Sequence, residues 1–278
     1  MTTKELQAAG LLQAPDFVLS GLQFETLAGS HAYGTDRPDS DFDIYGFTLP
    51  PVETLFPHLS GAIPDFGTQP AKFKLMERQH VMASGKEHDV YIYSIVWYFQ
   101  LAMQCSPPIL DTLFSPQDCV LTETAIGRLV RHNAKTFLSK KLFHSYRGFA
   151  HSQMAAIEGK RRVQDSKRAK LIEQYGYDVK YGAHAVRALL QCQQFLTEGR
   201  VDLRKYAPLY LDILEGRVTL PELKLFLKKH EEIVTATYNE CDTIPDVPDE
   251  TAIKGLLVRC LEMQYGDLGQ IRNTALLC

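Results

Sequence analysis

Short runs of alternating apolar and polar residues dominate the first 120 residues and predict β-strands. Phe24–Ala28 has the composition of a buried strand, and Phe42–Leu49 alternates until two prolines end it. Lys72–Glu77 alternates charged and apolar residues, whereas Asp89–Tyr93 is rich in β-branched and aromatic residues. These four segments predict a small mixed β-sheet.

Helical periodicity replaces this pattern after Leu121, and prolines become rare until Ile244. Gly199 is placed to end one helix and Pro221 to begin the next. With an earlier helix that Ser94 caps, the predicted helices cover residues 95–104, 122–139, 144–162, 166–174, 179–198, 221–240 and 249–265. The fold class is therefore α+β, with a small mixed-sheet domain over residues 1–120 and an all-helical domain over residues 121–278.

The composition is that of an ordinary globular protein, because 45% of the 278 residues are apolar and 23% are charged. The six cysteines are scattered and lack zinc-site spacing, which is typical of a reducing compartment. The N-terminus does not begin with a basic and then apolar leader, and no apolar run reaches about 18 residues. We therefore expect a cytoplasmic protein without a membrane partner, whereas the oligomeric state stays open.

Charge changes this picture, because the formal net charge of −3 hides two opposed regions. Residues 1–127 carry a net charge of −9, residues 128–187 carry +10, and residues 188–278 carry −4. The pattern is expected of carboxylates that hold cations beside cations that hold phosphates. The alternative interpretation is that the charges lie on solvated helix faces.

The first candidate for chemistry is the glycine-serine pair that follows the first strand. Gly29 lets the backbone approach a ligand closely and adopt unusual dihedral angles. Ser30 would begin a short helix, whose free N–H groups and hydroxyl suit a phosphate.

The second candidate is an aspartate pair on the next strand. Asp41 and Asp43 are two residues apart, so both side chains leave the same face of the strand. Two such carboxylates repel unless a cation lies between them, and Mg²⁺ binds carboxylates together with substrate phosphates. Either motif alone is common, and an isolated D-x-D segment is more often a solvated loop. Their order along the chain predicts phosphoryl or nucleotidyl transfer.

The combined motif resembles that of the DNA polymerase β-type nucleotidyltransferases. The matching residues are Gly29, Ser30, Gly34, Ser40, Asp41 and Asp43. Within this superfamily, the chain more closely resembles a branch associated with RNA repair. This finer resemblance rests on Ala32, Tyr33, Thr35 and Gly46. The helical part resembles the C-terminal domain of that branch through Ser139, Lys140, Tyr146, Gln153, Lys180, His184 and Arg187.

The resemblance implies a third carboxylate on a later strand, which would complete a site for two Mg²⁺ ions. Asp89 is the main candidate because it opens a predicted strand, and Glu87 is the reserve candidate. The resemblance also implies that the third carboxylate acts on the attacking hydroxyl, and that Asp41, Asp43 and Asp89 are both the metal ligands and the catalytic residues.

The basic region offers a candidate phosphate-binding face. Lys180, His184 and Arg187 lie four and three residues apart, so they share one face of a helix. Together with Gly29 and Ser30 they are our predicted nucleotide-binding residues. The alternative is three solvated polar side chains, with the histidine packed over a neighbour.

Other cations in the same region are less clearly assigned. Lys140, Lys141 and Arg147 are candidates for the same basic wall. The denser runs Lys160–Arg162 and Lys167–Lys170 fit either a track for an RNA strand or a solvated surface. His31 lies in the expected phosphate loop without a predicted role.

These features predict a Mg²⁺-dependent nucleotidyltransferase that moves a nucleoside monophosphate from a triphosphate such as ATP to an acceptor hydroxyl. The resemblance makes an RNA 3′ end, such as that of a tRNA, the expected acceptor. One alternative acceptor is a hydroxyl of a protein or small molecule. Another alternative is a non-catalytic module that binds a nucleotide or RNA.

Overall fold

The computed structural model describes residues 1–63, 66–67, 72–159 and 166–266. One five-stranded mixed sheet lies in the described chain, in the order β3-β4-β2-β1-β5. The strands are β1 Leu22–Leu27, β2 Phe42–Thr48, β3 Leu75–Ala83, β4 Lys86–Ser94 and β5 Val120–Glu123. Strands β2 and β4 are parallel, whereas the β1–β2, β1–β5 and β3–β4 pairs are antiparallel.

The helices flank and follow this sheet. The first six are α1 Thr3–Ala8, α2 Asp16–Ser20, α3 Gly29–Tyr33, α4 Val52–Leu55, α5 Ile95–Met103 and α6 Pro107–Leu113. The remaining seven are α7 Ala125–His132, α8 Lys141–Ile157, α9 Ser166–Tyr175, α10 Val179–Glu198, α11 Ala207–Leu214, α12 Leu220–Glu240 and α13 Glu250–Tyr265. Three 3₁₀ turns lie at Pro57–Ser60, Gln117–Cys119 and Ala134–Phe137. This architecture confirms the α+β fold class.

The two faces of the sheet differ, and the difference positions the site. Ile44 and Val90 point to one face, where they pack with Leu6 and Val18 of the N-terminal helices. Phe47 points to the opposite face, into a larger core that includes Val186 of α10. Because side chains alternate along a strand, Asp43 shares the face of Phe47 and therefore faces the helical layer.

Several predicted elements need correction at their ends. The third strand begins at Leu75 rather than Lys72 and continues to Ala83, because it forms a hairpin with β4. Its alternation is interrupted by a bulge in which His80 has a φ of 59°, so the pattern beyond Glu77 could not be recognised.

The predicted helix over residues 122–139 is wrong at both ends. Residues 120–123 form β5 instead, Thr124 caps α7, and a 3₁₀ turn replaces the last part. The short helices α6 and α11 were not predicted, because each spans only about two turns, too few for a clear helical period. The caps at Ser94 and Gly199 and the start near Pro221 are confirmed.

The larger core crosses the predicted domain boundary. Phe24 and Phe47 from the sheet belong to the same buried cluster as Val186 and Phe195 from α10. Strand β5 also continues the sheet just past residue 120. The division into domains at residues 1–120 and 121–278 stays a prediction.

Candidate active site

A cleft of about 320 Å³ lies between the edge of α3, the start of β2 and helices α9 to α11. Its volume is in the range that suits a small ligand. The residues that line it are Gly29, Ser30, Tyr33, Thr35, Arg37, Asp39, Ser40, Asp41, Asp43, Leu171, Val179, Lys180, Ala183, His184, Arg187, Tyr210 and Leu214. Of the eight predicted site residues, seven therefore line one cavity, and Asp89 is the exception.

The glycine-serine pair forms the start of α3, as predicted. Gly29 has a φ of 58°, a conformation in which a side chain is strained. A Cβ atom at this position would lie 2.1 Å from Oδ2 of Asp43. The absence of a side chain at Gly29 therefore lets the loop pass directly beside the carboxylate of Asp43.

Asp43 lies in β2, whereas Asp41, which was predicted on the same strand, directly precedes it. Both aspartates line the cleft. The pKa of Asp43 is raised to about 6, first by burial and then by the negative charges of Asp89 and Asp41. The positive charges of Lys180 and Arg187 act in the opposite direction. The carboxylates are thus crowded enough to repel one another, as expected of groups that hold a cation.

Asp89 lies one strand away from the aspartate pair. In the parallel ladder of β2 and β4 it stands in register with Asp43, and neighbouring strands are about 4.8 Å apart. The backbone N–H of His80 donates to Oδ1 of Asp89, with an N···O distance of 2.8 Å. Asp89 is thus beside Asp43 but is also bound to the hairpin partner β3.

A group of possible metal ligands surrounds Asp89. Ligand atoms of His80, Glu87 and Asp89 all lie within 4.8 Å of one another, and His80 also contacts Glu87 through its ring nitrogen. Within the part of the chain that the structure describes, Asp41 and Asp43 are outside this group. Both carboxylates on β4 therefore remain candidates for the third position.

The basic face lies across the cleft from the carboxylates. Lys180, His184 and Arg187 all line the cavity from α10. The carboxylate of Asp178 caps this helix by accepting from the backbone N–H groups of Lys180 and Tyr181. Within the described residues, Lys180 and Arg187 have no carboxylate oxygen within 4.0 Å, so both charges are available to an anion.

Arg187 is supported by a contact that the sequence did not reveal. Its guanidinium carbon lies 3.7 Å from the ring centroid of Tyr33. The hydroxyl of Tyr33 in turn donates to Oδ2 of Asp111, at an O···O distance of 2.5 Å. Tyr33 was noted only as a motif residue, and Asp111 was not noted, because no spacing in the sequence connects α3, α6 and α10.

The other proposed cations do not join this wall. Lys140 binds Asp246, with an N···O distance of 2.8 Å, and Arg147 binds Glu231 at 2.6 Å. Neither they nor Lys141 line the cleft. The prediction that they extend the same basic wall was wrong, because Lys140 and Arg147 lie where they pair with Asp246 and Glu231.

The remaining basic residues add little to the site. Residues 160–165 and the side chains of Lys167 and Arg168 are outside the described residues, so the two basic runs are untested. His31 stacks on Phe42, with ring centroids 4.7 Å apart, instead of facing the cleft. Burial lowers the pKa of His31, which disfavours a permanent charge on it.

One side of the cleft is apolar and was missed by the sequence analysis. Tyr210 and Leu214 from α11, and Leu171, Val179 and Ala183 from α9 and α10, contribute to its lining. No motif singled them out, because helical spacing alone does not distinguish residues that line a cleft from residues of a core. Their position beside the polar residues makes the cleft suitable for a ligand with both charged and flat apolar parts.

No helix within the described parts of the chain combines the length and apolar character that a membrane span requires.

Known proteins resemble this chain mainly in sequence. The sequence model of the RlaP family, described as RNA repair pathway DNA polymerase beta family, matches residues 17–244. A protein of Enterobacteria phage T4, described as an uncharacterized 38.9 kDa protein in the nrdC-mobD intergenic region, is 25% identical over 142 residues. The match spans 48% of this chain and only 38% of the phage protein.

One solved structure aligns with most of this chain, but with low sequence identity and a low TM-score. The crystal structure of a nucleotidyltransferase-like protein from Exiguobacterium sibiricum 255-15 aligns with a TM-score of 0.32 and 8% identity. The alignment covers 98% of this chain and 90% of that chain.

Proposed function

The chain belongs to the RNA repair pathway DNA polymerase beta family, and on that premise we propose that it transfers a nucleoside monophosphate from a nucleoside triphosphate to an acceptor hydroxyl. The family match confirms the resemblance predicted from the glycine-serine and aspartate motifs. The protein is thus a nucleotidyltransferase-like protein linked to RNA repair. The reaction, the metal and the acceptor are parts of the proposal.

One observation carries the proposal: three distant segments contribute complementary chemistry to a single cleft. The start of α3 supplies Gly29 and Ser30, β2 and the residue before it supply the two aspartates, and α10 supplies three basic side chains. A phosphate chain needs N–H donors and positive charges. A non-catalytic phosphate site has no use for a crowded carboxylate pair.

The donor atoms fit Mg²⁺, because the predicted ligands are carboxylate oxygens and the pKa of Asp43 is raised by burial and by its acidic neighbours. Asp41, Asp43 and Asp89 would hold the ion. When bound, it would neutralise phosphate charge and lower the pKa of a hydroxyl beside it.

The residues of the chain would divide the remaining tasks. Gly29, Ser30 and Arg187 would orient the triphosphate, and Asp89 would accept the proton of the acceptor hydroxyl. The acceptor oxygen then forms a bond to the α-phosphorus as the bond to pyrophosphate breaks. Lys180, which lines the same cleft, would stabilise the negative charge of the leaving group.

We infer that the acceptor is an RNA 3′ end. The +10 net charge of residues 128–187 favours a polyanion over a cationic small molecule. RNA binding should weaken steeply with added salt, whereas a small neutral acceptor should respond much less. Acceptor binding measured between low and physiological salt therefore separates these acceptors.

The direct test is transfer of label from α-³²P nucleoside triphosphates to a tRNA pool in the presence of Mg²⁺. Wild type should label the RNA, and the Asp41→Ala/Asp43→Ala variant should not. Label in the γ position should remain in pyrophosphate, which controls for kinase activity. Equal labelling by the wild type and the double variant would exclude catalysis by the aspartate pair.

A further inference from the structure

A buried carboxylate lies behind the cleft, and the proposed chemistry does not use it directly. Asp111 in α6 is only 3% exposed. Burial raises the pKa of this carboxyl, because water no longer solvates its charged form. An apolar side chain would avoid this cost, so the contacts of Asp111 must explain its presence.

The hydrogen bond from Tyr33 is the main contact of Asp111. The O···O distance of 2.5 Å is short, and both side chains are buried. Tyr33 ends α3, the helix that begins with Gly29 and Ser30. Asp111 thus fixes the orientation of a ring that belongs to the predicted phosphate loop.

That ring supports the cation on the opposite wall. The guanidinium carbon of Arg187 lies 3.7 Å from the centroid of Tyr33, a distance at which the π face attracts the charge. The charge of Arg187 also lowers the pKa of Asp111, so the two groups interact electrostatically. No carboxylate oxygen of the described residues lies within 4.0 Å of the Arg187 guanidinium. Among the described residues, the contact with the ring of Tyr33 is therefore the one that holds this guanidinium.

We propose that Asp111 is a positioning residue that acts through Tyr33 to hold the guanidinium of Arg187 in place for the triphosphate; this rests on the proposed function. An arginine side chain loses considerable conformational freedom when it binds a phosphate. Arg187 is already held on the ring, so this loss occurs during folding instead of during binding.

A merely structural role makes a different prediction, and the chain provides a matched control for it. The hydroxyl of Tyr98 bonds to Oγ1 of Thr112 at 2.7 Å, and both side chains are buried. Thr112 is the neighbour of Asp111 in α6, but neither Tyr98 nor Thr112 lines the cleft. Tyr33→Phe and Tyr98→Phe therefore each remove one buried tyrosine hydroxyl from a bond to the same helix.

The experiment measures the Kd of a non-hydrolysable nucleoside triphosphate with Mg²⁺ and the thermal unfolding midpoint of each variant. Tyr33→Phe and Asp111→Leu should weaken binding by about fivefold or more. Tyr98→Phe should lower the midpoint comparably and change the Kd by less than about twofold. If both tyrosine variants weaken binding equally, Asp111 is only structural.

A double-mutant cycle gives the decisive readout. In an Arg187→Gln background, Tyr33→Phe should have almost no further effect on the Kd, because the group that it positions is gone. Additive losses would overturn the proposal. Tyr33→Phe removes a single oxygen atom, so the cycle remains available if Asp111→Leu fails to fold.

Failure of the proposed function gives a different result. If the wild type binds no triphosphate, nucleotidyl transfer is wrong, and the crystal structure of Tyr33→Phe then tests positioning on its own. In that structure the guanidinium of Arg187 should leave its place over the ring. An unmoved Arg187 would overturn the positioning role independently of any nucleotide.

Discussion

The two walls of the cleft use opposite charges and are held in place in different ways. On the acidic side, Asp43 lines the cleft, and Asp89 stands in register with it on the adjacent parallel strand, so the backbone ladder fixes their separation. Lys180 and Arg187 stand on a helix and reach the cleft through long side chains. The acidic wall is therefore rigid through its backbone, whereas the basic wall depends on side-chain contacts such as that between Arg187 and Tyr33.

The largest expected effect concerns the carboxylate that completes the acidic wall. Asp89→Asn should lower kcat roughly 100- to 10,000-fold, as expected on loss of a group that accepts a proton during the reaction. Glu87→Gln, two residues earlier on the same strand, should lower it less than about threefold. Label transfer under single-turnover conditions measures both, and the reverse ranking would assign the third position to Glu87.

Rigidity of the acidic wall predicts the next effect. Gly29→Ala would place a methyl group against Oδ2 of Asp43, so kcat/KM should fall roughly 100-fold through misplacement of that carboxylate. Gly10→Ala is the matched control, because Gly10 has a similar positive φ of 73° but open space around it. Equal losses of activity in the two variants would mean that backbone strain alone is responsible.

The basic wall should respond through binding instead of through the chemical step. Arg187→Lys keeps the charge but removes the planar group that stacks on Tyr33, so triphosphate affinity should fall about tenfold. Arg200→Lys, at an arginine whose side chain is 70% exposed, should change affinity less than about twofold. Calorimetric titration with a non-hydrolysable triphosphate measures the affinity of both variants. Equal affinities would contradict a role of Arg187 in triphosphate binding.

The smallest expected effect tests whether the helix start positions the basic wall. Asp178→Ala and Asp249→Ala each remove an N-cap and should each cost about 1 kcal/mol of unfolding free energy. Only Asp178→Ala should also weaken triphosphate affinity, by about two- to threefold, because its helix carries Lys180. Urea unfolding and titration check this, and a parallel loss of affinity in Asp249→Ala would make the effect indirect.

The sequence predicted those features of both walls that depend on neighbouring residues. The short motif brought Gly29, Ser30, Asp41 and Asp43 together in the sequence, and all four line the cleft, because their positions depend mainly on neighbouring residues. The shared face of Lys180, His184 and Arg187 followed from helical periodicity, and all three line the cleft.

The sequence could not supply relations between distant segments. The contact of Tyr33 with Asp111 joins residues 78 positions apart, and no local pattern encodes it. The bulge at His80 and the short strand at Val120–Glu123 were not predicted, because both depend on pairing with another strand. Lys140 and Arg147 were misassigned because charge density does not reveal which carboxylates lie nearby.

The continuous core beneath the cleft limits how the protein can move. Phe24 and Phe47 of the sheet and Val186 and Phe195 of α10 are each fully buried in one cluster. A hinge motion that separated the two walls would expose this apolar surface to water at about 25 cal/mol per Å². Nucleotide entry should therefore proceed by rearrangement of side chains and loops at the rim, while the spacing between the sheet and α10 stays constant during turnover.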